Sequence, residues 1–293
     1  MNNSCFSIRD DDINFFTNVE SLQRFYEPKF EWLRPTLCVT PRAGYIYNCI
    51  RKKEFELIDS RSKFEFAKKM MNEDKTLSNV FHNIYDNDKL IKVLQEWVRE
   101  GLVEIALHGI THNPGDFAYE CELDNVSEVL LKKEIYELEK AVGTKITLFS
   151  PPNNSMSKYW VNLVSRCGMN IVHSAGLRPN EILINLNSVL STVKIASVFF
   201  LTRKKRRVLH PLDYGGFKLM PSYPTSPISN NKMLFKQMDF VNARGGFFVL
   251  ATHSYCFEND RVFMDEVSEL VFYAKKIGFN FKTISQGINE TKF

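Results

Sequence analysis

Short apolar runs alternate with amphipathic helical segments along most of this 293-residue chain. Runs of four to six mainly apolar residues that end in glycine, proline or polar residues are typical of buried strands. Between them, apolar residues recur at helical spacing, and Gly101, Gly143 and Gly278 end three of the helical segments. The predicted strands are 5–8, 35–40, 103–107, 146–149, 170–173, 247–251 and 279–283. This alternation predicts an α/β fold with a mainly parallel sheet or barrel.

The whole chain, residues 1–293, is predicted to form a single domain. Its length allows it to bury roughly 75% of its unfolded surface in one core. Charged and apolar residues mix without a clear period near 45–85, which predicts an excursion with helical pieces. Near 180–230 the β-branched residues and the Gly215-Gly216 pair predict an irregular, strand-rich insertion.

Composition excludes several other classes of protein. No apolar run reaches the roughly 18 residues of a membrane-spanning helix. The amino terminus leads directly into a strand without a visible signal peptide, so we expect a cytoplasmic protein. The six cysteines form no CxxC pair, which favours reduced thiols over disulfides or a zinc knuckle. The net charge of +4 is too small to identify a partner.

Polar residues follow three of the predicted strands. The acidic run Arg9-Asp10-Asp11-Asp12 follows the first, His108 and His112 follow the third, and His253 follows the strand at 247–251. The carboxyl ends of parallel strands meet at one edge, where active sites of such folds lie. Adjacent carboxylates are costly unless a cation offsets them, and two imidazoles on one face of a helical turn form half of a metal site. One convergent metal site is therefore predicted; the alternative is an acidic surface turn with unrelated histidines.

These motifs, in this order, resemble those of the polysaccharide deacetylase superfamily, in particular a divergent branch with an RxDD-type first motif. The resemblance runs from residue 5 to residue 285. It implies a distorted (β/α) barrel of about seven parallel strands.

The resemblance also implies roles for the residues that match its motifs. Asp12, His108 and His112 correspond to the ligands of a divalent metal, usually Zn²⁺. Asp11 corresponds to the general base, and His253 corresponds to the general acid.

The third motif of the superfamily is a proline-containing loop, to which Phe149-Ser150-Pro151-Pro152-Asn153 is similar. Pro152 and Asn153 are therefore predicted to contact substrate. The superfamily commonly has an arginine where this chain has Ser150, and Arg9 is the candidate to supply that charge and to contact substrate. The motif with an Asp and a Trp that lines the sugar pocket has no clear match.

A metal site with a base on one side and an acid on the other predicts hydrolytic N-deacetylation, because an amine leaves poorly unless it is protonated. The expected substrate is an N-acetylated sugar, with nucleotide-linked and lipid-linked glycan precursors among the candidates. Two alternatives stay open: an amidohydrolase acting on a non-sugar amide, and an inactive homologue that binds carbohydrate.

A basic run extends from Arg203 to Arg207. It is either a solvated loop or a contact for anionic lipid headgroups or a substrate phosphate. Nucleic acid is not an expected partner, because no aromatic residues interleave with these cations.

Overall fold

The computed structural model describes residues 4–53, 56, 60–113, 118–174, 187, 189–193, 209–227, 230–258 and 260–290. The strands are β1 (Cys5–Ile13), β2 (Thr36–Val39), β3 (Arg42–Gly44), β4 (Phe81–Asn83), β5 (Glu104–Leu107), β6 (Leu148–Phe149), β7 (Asn170–His173), β8 (Leu212–Asp213), β9 (Lys218–Pro221), β10 (Tyr223–Pro224), β11 (Phe247–Thr252) and β12 (Asn280–Phe281). The helices are α1 (Val19–Tyr26), α2 (Tyr45–Lys52), α3 (Ser60–Glu73), α4 (Asp88–Arg99), α5 (Glu128–Val142), α6 (Lys158–Arg166), α7 (Lys232–Asn242), α8 (Arg261–Lys276) and α9 (Ile284–Glu290).

One curled, mainly parallel sheet organises these elements. Its order runs β11, β1, β2, β5, β6, β7, β9, and each of these neighbouring pairs is parallel. Only Ser222 separates β9 from β10, and β10 pairs with β11, so the order returns to its starting strand. With β9 and β10 counted as one interrupted strand, the predicted α/β class and the distorted barrel of about seven parallel strands are confirmed.

Apolar side chains pack on both faces of the curled sheet, because successive residues of a strand point to opposite faces. On β2, Leu37 and Val39 belong to the large cluster under the surrounding helices, whereas Cys38 belongs to a smaller, separate cluster. The smaller cluster comprises Cys38, Ala106, Leu148, Val172, Met220, Phe247, Val249, Ile284 and Ile288. Since Ile284 and Ile288 come from α9, this helix closes the end of the barrel where β2 and β5 begin.

The region near 45–85 contains α2, α3 and the antiparallel pair formed by β3 and β4. Ile46, Ile50 and Ala67 form a third, small apolar cluster there. The backbone N–H of Gly44 donates to Thr111 O at 2.9 Å, which ties this region to the chain segment that follows β5. The excursion therefore lies beside the open, carboxyl end of the barrel.

Within the region near 180–230, the described residues include β8, β9 and β10. The basic run from Arg203 to Arg207 lies outside the described residues. In the described part of the chain, no helix has both the length and the apolar character needed to cross a membrane.

Candidate metal and catalytic site

A cavity of about 210 Å³ opens at the carboxyl ends of β1, β5 and β11. The predicted site residues that line it are Asp11, Asp12, His108, His112, Asn153 and His253. Four segments far apart in sequence thus converge on one volume, as the positions of the motifs at strand ends predicted. Its walls also carry three tyrosines, Tyr47, Tyr119 and Tyr255, and one lysine, Lys63.

The three consecutive aspartates have three different environments. In extended backbone Asp10 and Asp11 point to opposite faces of β1, so Asp11 faces the barrel interior and Asp10 faces the helices. Asp12 has a left-handed φ of +69°. This local turn breaks the alternation, and both Asp11 and Asp12 line the cavity. The Asn14 side-chain amide donates to Asp12 O at 2.8 Å and holds the turn.

Asp12, His108 and His112 form a compact, buried donor set. Asp12 Oδ1 lies 3.1 Å from His108 Nε2 and 3.2 Å from His112 Nε2, and the three ligand atoms lie within 4.8 Å of one another. Metal–ligand bonds of about 2.0–2.2 Å in a tetrahedron put neighbouring ligand atoms about 3.3 Å apart. The spacing and the mixed carboxylate–imidazole chemistry therefore fit a divalent metal ion.

Electrostatics at this donor set favour positive charge. Burial alone would raise the pKa of Asp12, but His112 and His108 outweigh it and hold the pKa well below its usual range. Burial would likewise lower the pKa of His112, and Asp12 raises it instead. The carboxylate that stabilises a protonated imidazole also favours a divalent cation between the same groups.

The segment between the two histidines is a tight loop and not the helical turn that would also place both imidazoles on one face. Gly109 has a left-handed φ of +63°, and His112 has a φ of +55°. A Cβ on Gly109 would lie 2.5 Å from Glu120 Oε2 and 2.6 Å from Pro152 Cγ, which leaves room only for glycine. The loop, rather than helical periodicity, turns both Nε2 atoms toward Asp12.

The His108 ring is fixed by a hydrogen bond on the side away from Asp12. Its Nδ1 donates to Ser150 O at 2.9 Å. This bond places the remaining ring lone pair on Nε2, next to Asp12, as metal-binding histidines require.

Asp11 is held by Arg9, which lies on the same face of β1. Arg9 Nε donates to Asp11 Oδ1 at 2.8 Å, and an Arg9 terminal nitrogen donates to Oδ2 at 2.5 Å. The Ser150 hydroxyl donates to Asp11 Oδ1 at 3.1 Å. Burial alone would raise the pKa of Asp11, but the charges of Arg9, His108 and His253 lower it to about 2. Asp11 is therefore a carboxylate at neutral pH.

Two of the residues predicted to contact substrate do not line this cavity. Arg9 is 0% exposed, and its guanidinium binds Asp11 and the Ser222 hydroxyl, which is 2.9 Å away. The superfamily commonly has an arginine at the position of Ser150. In this chain the guanidinium of Arg9 pairs with Asp11 and supplies that charge. Pro152 is buried against Gly109 and does not line the cavity, whereas Asn153 does.

His253 lies directly after β11, with Nε2 3.7 Å from Asp12 Oδ2 and its side chain 31% exposed. Asp10, on the outer face of β1, fixes the turn that carries it. Asp10 Oδ1 accepts the Ser254 N–H at 2.7 Å, and Oδ2 accepts the Tyr26 hydroxyl at 2.8 Å. Burial raises the pKa of Asp10 to about 7, although both hydrogen bonds oppose the shift.

Sequence reasoning overlooked this function of Asp10, which the strand alternation could have separated from that of Asp11. It also overlooked Glu120, whose buried carboxylate accepts backbone N–H groups from the histidine loop. Tyr47 was missed as well: its ring stacks on His112 with centroids 4.1 Å apart.

Comparison with known proteins agrees with the geometry. The family model for polysaccharide deacetylase matches residues 68–172, which include both metal-site histidines and Ser150. No curated protein sequence matches the chain. Among solved structures, a protein from Mycobacterium smegmatis assigned as a polysaccharide deacetylase is similar with a TM-score of 0.52 and 13% identity, over 98% of this chain and 90% of that one.

Two further solved structures are similar. The 4-alpha-glucanotransferase from Thermococcus litoralis has a TM-score of 0.52 and 11% identity, over 99% of this chain and 40% of that one. A CE4 family pseudoenzyme from Bacillus anthracis has a TM-score of 0.45 and 10% identity, over 99% of this chain. The chain spans 66% of that pseudoenzyme's length. The family model confirms the predicted resemblance, and the two structures with a TM-score of 0.52 show a shared fold.

Proposed function

We propose, from its confirmed resemblance to the polysaccharide deacetylase superfamily, that this chain is a metal-dependent N-deacetylase acting on an N-acetylated sugar. The observation that carries the proposal is the convergence of Asp12, His108 and His112 beside a separate carboxylate, Asp11, and an accessible histidine, His253. Hydrolysis of an unactivated amide needs such a set, because water must be deprotonated and the leaving nitrogen must be protonated.

Asp12, His108 and His112 would hold the cation. A divalent metal there lowers the pKa of water to about 7 and polarises an amide carbonyl. With three protein ligands, a bound cation would still have room for water or substrate, as in catalytic rather than structural zinc sites.

Asp11 would take the proton from the attacking water. Its carboxylate has the correct protonation state at neutral pH, since Arg9 and its neighbours lower its pKa to about 2. Arg9 and the Ser150 hydroxyl orient both oxygens, so the base does not reorganise when it acts. Such pre-orientation favours proton transfer, because the base already has the geometry that it needs when the water reacts.

His253 would give a proton to the leaving nitrogen. It is the one predicted site histidine with substantial exposure, at 31% of its side chain, so a substrate can reach it. Asp10 and Ser254 fix its backbone, which keeps the imidazole at the cavity rim.

The sugar is the proposed substrate because three tyrosine rings, Tyr47, Tyr119 and Tyr255, line a cavity of about 210 Å³ beside the catalytic groups. Aromatic faces provide flat apolar contact for the face of a sugar ring. A nucleotide-linked or lipid-linked glycan precursor is the finer proposal.

Two alternatives remain as proposals: a non-sugar amide as substrate, or a catalytically inactive carbohydrate-binding homologue. Metal content and acetate release separate them. We expect the purified protein to contain about one divalent metal per chain and to release acetate from at least one member of a panel of free, nucleotide-linked and lipid-linked N-acetyl sugars. Chelation should abolish release, and Zn²⁺ should restore it.

Full turnover under chelator in protein shown to be free of metal would refute the metal mechanism. Metal binding without acetate release from any sugar would favour the non-sugar amide, and sugar binding without any hydrolysis would favour the inactive homologue.

A separate proposal concerns the basic run from Arg203 to Arg207. We propose that the enzyme is cytoplasmic and that these residues bind anionic lipid headgroups or a substrate phosphate. Replacing its five cations with glutamine should weaken binding to vesicles containing phosphatidylserine at low salt. The difference should shrink as salt rises, because charges are screened over roughly 8 Å at physiological ionic strength. Equal binding of both proteins at low salt would identify a solvated loop.

A further inference from the structure

Glu120 lies outside every motif discussed above, yet it holds the histidine loop. It is 7% exposed. Its Oε1 accepts the N–H groups of Ile110 at 3.0 Å and Thr111 at 2.8 Å, and its Oε2 accepts the N–H of His112 at 2.8 Å. One carboxylate thus satisfies three consecutive backbone donors.

The loop needs such an acceptor because the N–H groups of Ile110, Thr111 and His112 take no part in helical or sheet hydrogen bonding. With Gly109 and His112 in left-handed conformations, successive N–H groups converge on one point, which is the arrangement that binds an anion. A buried N–H without a partner destabilises the folded chain, because the group loses its hydrogen bond to water and gains none in return. The absence of space beside Gly109 shows how closely the carboxylate fits the loop.

The two metal-site histidines differ in how they are oriented. His108 is fixed through its own ring, by Nδ1 and Ser150 O. His112 Nδ1 is buried and makes no hydrogen bond within the described residues. The His112 ring is positioned by its backbone, and so by Glu120, together with the stacked Tyr47 ring.

We propose that Glu120 is the positioning residue of the metal site, and that it sets the direction of His112 before a metal binds. The inference rests on the proposed metal-dependent function. It concerns metal affinity, which is measured without any substrate.

The test is Glu120→Gln, which keeps size and removes one acceptor. If the amide oxygen accepts from Ile110 and Thr111, the amide nitrogen faces the His112 N–H, donor against donor. We expect the dissociation constant for Zn²⁺, measured by competition with a chromophoric chelator, to rise about 10–100-fold, the usual effect of losing an outer-sphere partner. The far-ultraviolet circular dichroism should stay unchanged.

Glu104→Gln is the matched control. Glu104 is a half-buried carboxylate that also accepts backbone N–H groups, from Ile284 at 3.1 Å and Ser285 at 3.3 Å, but at the opposite end of the barrel. The Glu104→Gln variant should have a lower melting temperature than the wild type and an unchanged dissociation constant for Zn²⁺.

A double-mutant cycle separates positioning from general stability. In a His112→Ala background, Glu120→Gln should cost less than about threefold in affinity, because the ring that Glu120 directs is absent. Equal losses in both backgrounds, or wild-type affinity in Glu120→Gln, would overturn the inference. If Glu120→Gln does not fold, Glu120→Asp takes its place in the same cycle. Aspartate keeps the charge but has a shorter side chain, and the expected losses of Zn²⁺ affinity are the same. A wild-type protein that binds no metal would overturn both this inference and the proposed function.

Discussion

Asp12→Ala is expected to abolish metal binding and amide hydrolysis together. Asp12 Oδ1 is the atom that both imidazole nitrogens face, at 3.1 and 3.2 Å. Without it, two imidazoles remain as ligands, and none of the ligand atoms carries a negative charge. The loss of affinity should exceed the roughly 10–100-fold that outer-sphere partners contribute. Metal analysis after dialysis and Zn²⁺ competition on the purified variant measure it.

Asp10→Asn is the control for this change, because Asp10 is a buried aspartate two positions away on the same strand. Its side chain meets Tyr26 and Ser254 on the outer face, and an asparagine oxygen can still accept the Ser254 N–H. The variant should therefore bind metal as the wild type does. Loss of metal in Asp10→Asn together with its retention in Asp12→Ala would show that the assignment of ligands within the acidic run is wrong.

The fold was predictable because its signal is repeated along the chain. The run at 247–251 is apolar at every position, and the structure shows β11 at Phe247–Thr252, buried throughout. The run at 103–107 became β5 at Glu104–Leu107, of which the last three residues are buried. Strands buried on both faces are typical of covered parallel sheets, so a few such runs constrain the architecture strongly.

The geometry of the acidic run was not predictable from residue types. Strand alternation places Asp11 and Asp12 on opposite faces, yet both line the cavity. Both can do so because the backbone of Asp12 is left-handed, with a φ of +69°. Aspartate adopts this conformation more often than most residues, but no pattern in the sequence states that it does so at this position and not at Asp11.

The histidine loop shows a second limit. A spacing of four residues suits a helix, but here Gly109 and Glu120 impose a different path. The contact between Glu120 and His112 joins a charged residue to backbone N–H groups, and such contacts leave no periodic trace. The contact between Tyr47 and His112 could not be predicted for a related reason. Tyr47 comes from the region near 45–85, where charged and apolar residues mix without a period.

Asp11→Asn is expected to keep the metal and lose turnover. Asp11 makes no ligand contact in the donor set of Asp12, His108 and His112, so Zn²⁺ affinity should stay within a few-fold of the wild type. An asparagine cannot take a proton from water, and removing a positioned general base costs about 10²–10⁴-fold. The loss should fall on kcat more than on KM, because the proton moves mainly in the transition state.

The Asp11→Asn variant is expected to be less stable than the wild type because of Arg9. The substitution removes the carboxylate that neutralises the buried guanidinium, and breaking a buried pair costs about 3–5 kcal/mol of unfolding free energy. Kinetics must therefore be measured well below the variant's melting temperature, with folding checked by circular dichroism. A double variant, Arg9→Met with Asp11→Asn, removes the unpaired charge and should regain stability without regaining turnover. If Asp11→Asn, folded and loaded with metal, hydrolysed substrate at the wild-type rate, Asp11 would not be the base, and the Arg9–Asp11 pair would be only structural.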